Sequence, residues 1–199
     1  MIEGVDSSYD PPTAAECKSG GKKFSIRYVS TPGHAKNLKG AEADSLKAAG
    51  INICLVGEIT PNRALGGASQ GRSDMKTWME QATDLGAPSP SCIYMAVDFD
   101  AVASQMNTVV AYIKGGAEIA NARWTGVYGS YAVVEACAKA DACHYLWQTY
   151  AWSGGRWYGP AQLQQYKNNV ALGNATVDLC RATVADYGQW GTSGEWWDD

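Results

Sequence analysis

The sequence predicts an α/β fold: a compact TIM-like (β/α)8 barrel in which some helices are short or missing. Three observations carry that prediction. Apolar runs alternate with helix-patterned segments almost from end to end, the mark of a parallel sheet covered by helices. The runs number up to eight, which favours a closed barrel over an open sheet. At 199 residues the chain lies at or just below the usual lower end for such a barrel, so helices are expected to be lost, chiefly late in the sequence.

MIEGVD opens the sheet and KFSIRYVS is the second strand. EADSLKAAG is a helix closed by Gly50, a residue suited to the left-handed turn at a helix end. INICLVGEI is the third strand, and the Gly-rich loop PNRALGGASQG leads into a helix near Asp74 to Leu85. CIYMAVDFD is the fourth strand, followed by a helix across Val109 to Ala120. WTGVYGS is the fifth strand, VVEACAKA a helix, and HYLWQTYAW the sixth strand. LQQYKNN and ATVDLCR are weaker candidates for the seventh and eighth. Residues 1–190 are expected to form the barrel domain. The tail GTSGEWWDD, residues 191–199, reads as detachable or as the start of a linker, its Trp196 and Trp197 packing back or serving a neighbour.

Composition narrows the function. With 46% hydrophobic and 18% charged residues the chain is an ordinary globular protein, long enough for one well-buried domain and expected to be a monomer. A formal net charge of −4 removes the electrostatic case for nucleic acid or an anionic membrane. No apolar run approaches the roughly 20 residues of a membrane span. The first residues lack the basic and apolar regions of a secretory signal, so synthesis in the cytoplasm and release by another route are expected. Eight Trp and eleven Tyr against two Phe favour side chains with a polar handle, as in a cleft that grips sugars, or else a Trp-filled core. None of the six cysteines forms C-x-x-C, and two histidines supply metal sites poorly; neither metal nor organic cofactor is expected. Cys137 and Cys143 are the one pair close enough in sequence to suggest a bridge, but buried free thiols are the preferred reading.

Carboxylates carry the chemistry. In a barrel of this kind active residues sit at the C-terminal ends of the strands. The first strand ends at Asp6, the third at Glu58, the fourth at Asp98 and Asp100, and the eighth near Asp178. Alternation along the fourth strand sets Asp98 and Asp100 on one face, roughly 7 Å apart, with Phe99 pointing toward the helices. Crowded like charges raise at least one pKa, and a protonated acid beside an ionised one is what glycoside hydrolysis requires. Arg27 and Tyr28, on the second strand, are expected at the barrel mouth, where the arginine would neutralise acids or touch substrate.

Other motifs weigh less. GASQG fits a nucleophile-elbow pattern around Ser69, with Asp98 and His144 following in chain order, but a loop rather than a strand precedes it. SGGKKF fails as a phosphate loop because Glu16 occupies the position of its first glycine.

GVDSSYDPP, FSIRYVS, YMAVDFDA, GVYGSYAVV, YLWQTYAW and TVDLCRA occur in this order. Together they resemble the glycoside-hydrolase-like domain long filed as domain of unknown function 1906, a relative in fold of the lysozymes of glycoside hydrolase family 25. The resemblance covers roughly Ile2 to Trp190. It implies a TIM-like barrel acting on, or associated with, the bacterial cell wall. It also implies peptidoglycan glycan strands as partner and fits a phage endolysin freed through another protein's pore. Asp6 matches the aspartate ending the first strand, Asp98 and Asp100 the D-x-E pair, and Asp178 the last strand's V-D-L. Tyr128 and Trp147 match aromatic positions of the cleft, which Trp152 would extend as a sugar platform. Gln148 would orient a water or an N-acetyl group. Aspartate at position 100 is one methylene shorter than the family's glutamate, and a misplacement of about 1 Å can cost on the order of 100-fold in rate. The acid is therefore Glu58 or Asp100, with Asp98 stabilising charge or positioning the acetamido group and Asp6 and Asp178 holding protonation states. An N-acetylmuramidase-like hydrolase is the first expectation, a wall-glycan-binding barrel without turnover the second, and a serine esterase on Ser69 the third.

Overall fold

The chain lays down its strands in the order in which they pair: β1 (Ile2–Asp6), β2 (Phe24–Val29), β3 (Asn52–Gly57), β4 (Ile93–Ala96), β5 (Thr125–Gly129), β6 (Tyr145–Thr149), β7 (Leu163–Leu172) and β8 (Ala175–Ala182) close a barrel. The structure is a computed structural model and describes residues 1–190. The expected tail, residues 191–199, lies outside the described residues. β1 through β7 pair in parallel, but β8 runs antiparallel to both β7 and β1. This corrects the expectation of a wholly parallel sheet. Only Gly173 and Asn174 join β7 to β8, and a parallel crossover needs a dozen or more residues.

Five α-helices cover the barrel among the described residues: α1 (Ala14–Ser19), α2 (Gly40–Ala48), α3 (Gly67–Asp84), α4 (Met106–Ala120) and α5 (Tyr131–Lys139). None follows β6 or β7, as the short chain predicts. The sequence reading missed α1, whose only local signal is the Thr13/Glu16 capping box. α3 starts at Gly67, earlier than expected, so GASQG forms its first turns and Ser69 sits within a helix, not on a strand-to-helix elbow. Gly50 does end the α2 segment with φ +75°, a conformation that costs glycine nothing.

Two apolar layers result from strand alternation. Phe24, Ile26, Cys54, Val56, Tyr94, Tyr128, Tyr145 and Trp147 fill the barrel, while Ile53, Leu55, Ile93, Met95, Val127 and Leu146 pack outward against the helices. Part of the aromatic surplus, Tyr94, Tyr128, Tyr145 and Trp147, is thus spent on the interior. All six cysteines are buried and free, Cys137 and Cys143 included. Residues 183–190 cross the bottom of the barrel: Tyr94 Oη donates to Tyr187 O (2.6 Å), and Trp190 exchanges backbone hydrogen bonds with Ile53 (2.8 and 3.3 Å).

The loop after β3 is fixed to α3 and α4 by a buried carboxylate. Asp74 accepts from Arg63 Nε (3.0 Å) and Nη2 (2.9 Å), Gln70 Nε2 (2.8 Å) and Tyr112 Oη (3.0 Å). Asp74→Ala strands a guanidinium and a buried hydroxyl at once. It is expected to cost about 3 kcal/mol of stability in urea unfolding.

Candidate active site

The inward phase of three strands leads upward to an acid. On β3, Cys54 and Val56 are followed by Glu58; on β4, Tyr94 and Ala96 are followed by Asp98; on β1, Gly4 is followed by Asp6. Backbone bonds carry the ladders past the strand ends to hold these groups. Glu58 N–H donates to Val29 O (3.1 Å), Val97 N–H to Tyr128 O (2.9 Å) and Asp98 N–H to Pro61 O of the loop after β3 (3.3 Å). Asp178 reaches the rim differently. Antiparallel β8 sets its Cα directly opposite that of Asp6, so this acid lies within its strand and not at its end.

Asp6, Glu58, Asp98 and Asp178 therefore crowd one bowl. Burial holds the Asp6 carboxyl well above the usual carboxylate range; Asp178 adds to this, Arg27 opposes it, and Glu58 and Asp98 add again. Burial and then Glu58 raise Asp98, against the pull of Lys36. Burial raises Asp178, while the Asn169 N–H works the other way. The hydroxyls of Tyr28 and Tyr128 face the same acids and are pushed far up by burial first and by the carboxylates second.

Two residues of the bowl were missed in the sequence. Lys36, only 5% exposed, places Nζ 3.1 Å from Glu58 Oε1 and 5.0 Å from the centre of the Tyr28 ring. Its loop folds back onto the end of β2 through a Tyr28–Asn37 bridge and is tied to α3 by Gln81. Gln165, buried on β7, donates from Nε2 to Asp6 Oδ2 (3.2 Å) and to Asp178 Oδ2 (3.0 Å), and accepts from Tyr128 Oη (2.9 Å). Gln165 was findable: it stands two residues beyond the inward Leu163. Lys36 had no such signal, being placed by a loop.

Four expected site residues lie elsewhere. β4 ends at Ala96 and Ala101 N–H turns back to Phe99 O, so alternation does not extend to Asp100, which is exposed. Arg27 is out of phase with Tyr28 and points away from the mouth; 1% exposed, it pairs with Glu42 of α2 (Nε to Oε1, 2.5 Å) and donates to the carbonyls of Ser7 and Ser8. Gln148 is fully buried and out of phase with Trp147. It donates to Arg156 O (2.7 Å) and Ser153 Oγ (3.2 Å) and accepts from Tyr158 N–H (2.7 Å), which stiffens the β6–β7 connection. Trp147 is interior, packed on Tyr128 at 4.4 Å and Tyr94 at 5.8 Å between ring centres, so it supports the floor of the bowl. Trp152, by contrast, is 44% exposed on the β6–β7 connection.

Among the described residues no three His, Cys, Asp or Glu side chains are arranged to hold a metal ion, and no helix is long and apolar enough to cross a membrane.

Raised acids predict how stability responds to pH. A carboxyl that binds its proton more tightly folded than unfolded stabilises the fold below its unfolded pKa, and that contribution is lost as pH rises through the folded pKa. Asp6, Asp98 and Asp178 all shift upward, so the melting temperature should fall as pH rises from about 4 through their raised range. Asp6→Asn should match wild type near pH 4 and melt about 3 °C or more higher at pH 8, as scanning calorimetry would record.

A barrel with carboxylates gathered at the C-terminal rim of its strands is the frame of the glycoside-hydrolase-like proteins. The chain belongs to the Rv2525c-like, glycoside hydrolase-like domain family, whose family model matches residues 15–186. The Tat-secreted protein Rv2525c of Mycobacterium tuberculosis, solved with L-tartrate, superposes with a TM-score of 0.90 at 25% identity, over 96% of this chain and 100% of that one. A family 25 glycosyl hydrolase from Bacillus anthracis shares the fold at a TM-score of 0.64 and 12% identity, over 94% of both chains. The modular autolysin LytC of Streptococcus pneumoniae, solved with a synthetic peptidoglycan ligand, shares it at 0.65 and 14% identity, over 90% of this chain and 46% of that one. No curated protein matches by sequence. The fold is thus glycoside-hydrolase-like and related to family 25 lysozymes and endolysins.

Proposed function

We propose that the protein is a peptidoglycan-degrading glycoside hydrolase of N-acetylmuramidase-like type, cutting β-1,4 bonds of the wall glycan as a bacteriolytic enzyme. One observation carries this reading: two neighbouring acids of the bowl have opposite surroundings. Glu58 is ion-paired with the Lys36 ammonium, Oε1 to Nζ at 3.1 Å. Asp98, half-buried beside it, has its proton affinity raised by burial and by Glu58. A proton donor next to a fixed carboxylate is the pair that glycosidic cleavage needs. Asp98 is then the acid, protonating the leaving oxygen. Glu58 is the carboxylate that stabilises positive charge at the anomeric carbon, attacks it or activates water. This exchanges the roles expected from sequence, because the Lys36 partner was not foreseen there.

Tyr28 and Tyr128 would line the bowl, and Trp152 would offer its exposed ring to a neighbouring sugar. We place the action at the bacterial cell wall, reached by export or by release from a phage-infected cell. The relatives support the setting: one is a Tat-secreted protein, one an autolysin bound to a peptidoglycan ligand. A monomer working without cofactor suffices for this chemistry. Mass spectrometry of digested peptidoglycan tests the reading. Fragments with a new reducing end at N-acetylmuramic acid are expected; cleavage only at amide bonds would overturn it.

A second reading is a wall-glycan-binding barrel with little turnover. The exposed Asp100, where the family 25 lysozymes carry their longer acid, favours it. Co-sedimentation with walls and no soluble fragments would decide for that alternative.

A further inference from the structure

We propose that Gln165 is a positioning residue that fixes where the bowl keeps its proton: its amide nitrogen occupies the facing oxygens of Asp6 and Asp178 and leaves Asp6 Oδ1 to carry the hydrogen. The orientation of the amide follows from chemistry. Of its three partners only the Tyr128 hydroxyl can donate to a carbonyl oxygen when Asp178 is ionised and Asp6 carries its hydrogen on Oδ1, so the nitrogen must face the acids.

The two acids then differ in what remains free. Asp178 accepts at both oxygens, from Gln165 at Oδ2 and from the Asn169 N–H at Oδ1 (3.0 Å). Every position on it is therefore engaged as an acceptor, which suits the ionised form. Asp6 accepts at Oδ2 alone; its Oδ1 is buried and has no partner among the described residues. An orphaned buried carboxylate oxygen is costly as an acceptor but acceptable as a hydroxyl waiting for one. The groups around Asp6 agree with this division. Asp178 and Cys180 face it from β8, Glu58 from the end of β3, Asp98 from beyond β4, Tyr28 from β2 and Tyr128 from β5; among the described residues Arg27 of β2 is the cation that acts on it. Gln165 thus directs the Asp6 proton to Oδ1 and holds Asp178 negative without contributing a charge of its own.

The catalytic consequence rests on the hydrolase reading: a bowl with a fixed negative charge at Asp178 and a neutral Asp6 sets the field in which Asp98 holds its proton. The positioning itself does not depend on turnover, so two separate measurements test it. Gln165→Leu removes both donors. Both acids should then hold protons more tightly, and the fall of melting temperature with rising pH should deepen and extend about one unit higher. Gln165→Glu keeps the shape but adds a third acid that must itself be protonated to donate, and it serves as the check if the leucine variant fails to fold. On purified walls, Gln165→Leu should lower kcat about tenfold or more with KM within about twofold, and Gln165→Glu should recover activity only toward acid pH. Melting profiles for a folded variant that track wild type across pH would overturn the proposal whatever its activity. Wild type without wall hydrolysis would sink the hydrolase reading alone and leave the melting measurement to decide on Gln165.

Discussion

Asp98→Asn should lower wall hydrolysis by about 100-fold or more, the usual contribution of a positioned proton donor or more. Its melting temperature at neutral pH should stay within a few degrees of wild type or rise. The side chain lies at the open rim, its backbone N–H rather than its carboxylate ties it to Pro61 O, and removing one of four crowded acids relieves repulsion. Turbidity clearing of purified walls beside a calorimetric scan measures both quantities. Full activity in a folded variant would rule out Asp98 as the acid. Loss of activity together with loss of folding would show that the carboxylate has a structural role the hydrogen bonds do not reveal.

The largest effect on stability is expected where α3 and α4 touch. A Cβ at Gly71 would lie 1.9 Å from the backbone oxygen of Tyr112, and one at Gly115 would lie 2.2 Å from that of Ala68. Backbone atoms inside helices cannot step aside as a flexible side chain does, so a larger residue must force the helices apart. Their separation would loosen Met75, Tyr112 and Ile113, all fully buried, and with them the Asp74 cluster that anchors the loop after β3. Gly71→Val is therefore expected to cost about 3 kcal/mol or more, the upper end of overpacking, and to yield largely insoluble protein. Expression level and urea midpoint would record it. Gly50→Ala is a contrasting control, because open space surrounds that position and only its positive φ is at stake.

Most of the barrel could be read in advance because its strands are nearly continuous apolar runs and its length limits the helices. The acids at Asp6, Glu58 and Asp98 were legible by the same alternation that builds the inner core. The errors have physical sources. Asp100 was placed by extending a strand that in fact ends at Ala96, where the chain turns under Phe99. Arg27 and Gln148 contradict a phase the sequence already contained, since Tyr28 and Trp147 beside them face inward. Both are polar groups buried beneath loops with their hydrogen bonds satisfied, a situation that composition mimics as an active-site residue. Lys36 depends on a loop folding back onto β2 and on a tie to α3, contacts that no local pattern encodes. The reversal of β8 was concealed in the two-residue turn Gly173–Asn174, whose brevity is its only sign.

That reversal also bears on how the molecule is made. β1 finds its second neighbour only in β8, so Asp6 and Asp178, from the first and last strands of the barrel, meet when the ring shuts. A nascent chain emerging from the ribosome lacks the Asp6–Asp178 pair until β8 has been synthesised. The electrostatic penalty of that pair then falls on ring closure, a long-range step that topology already makes slow.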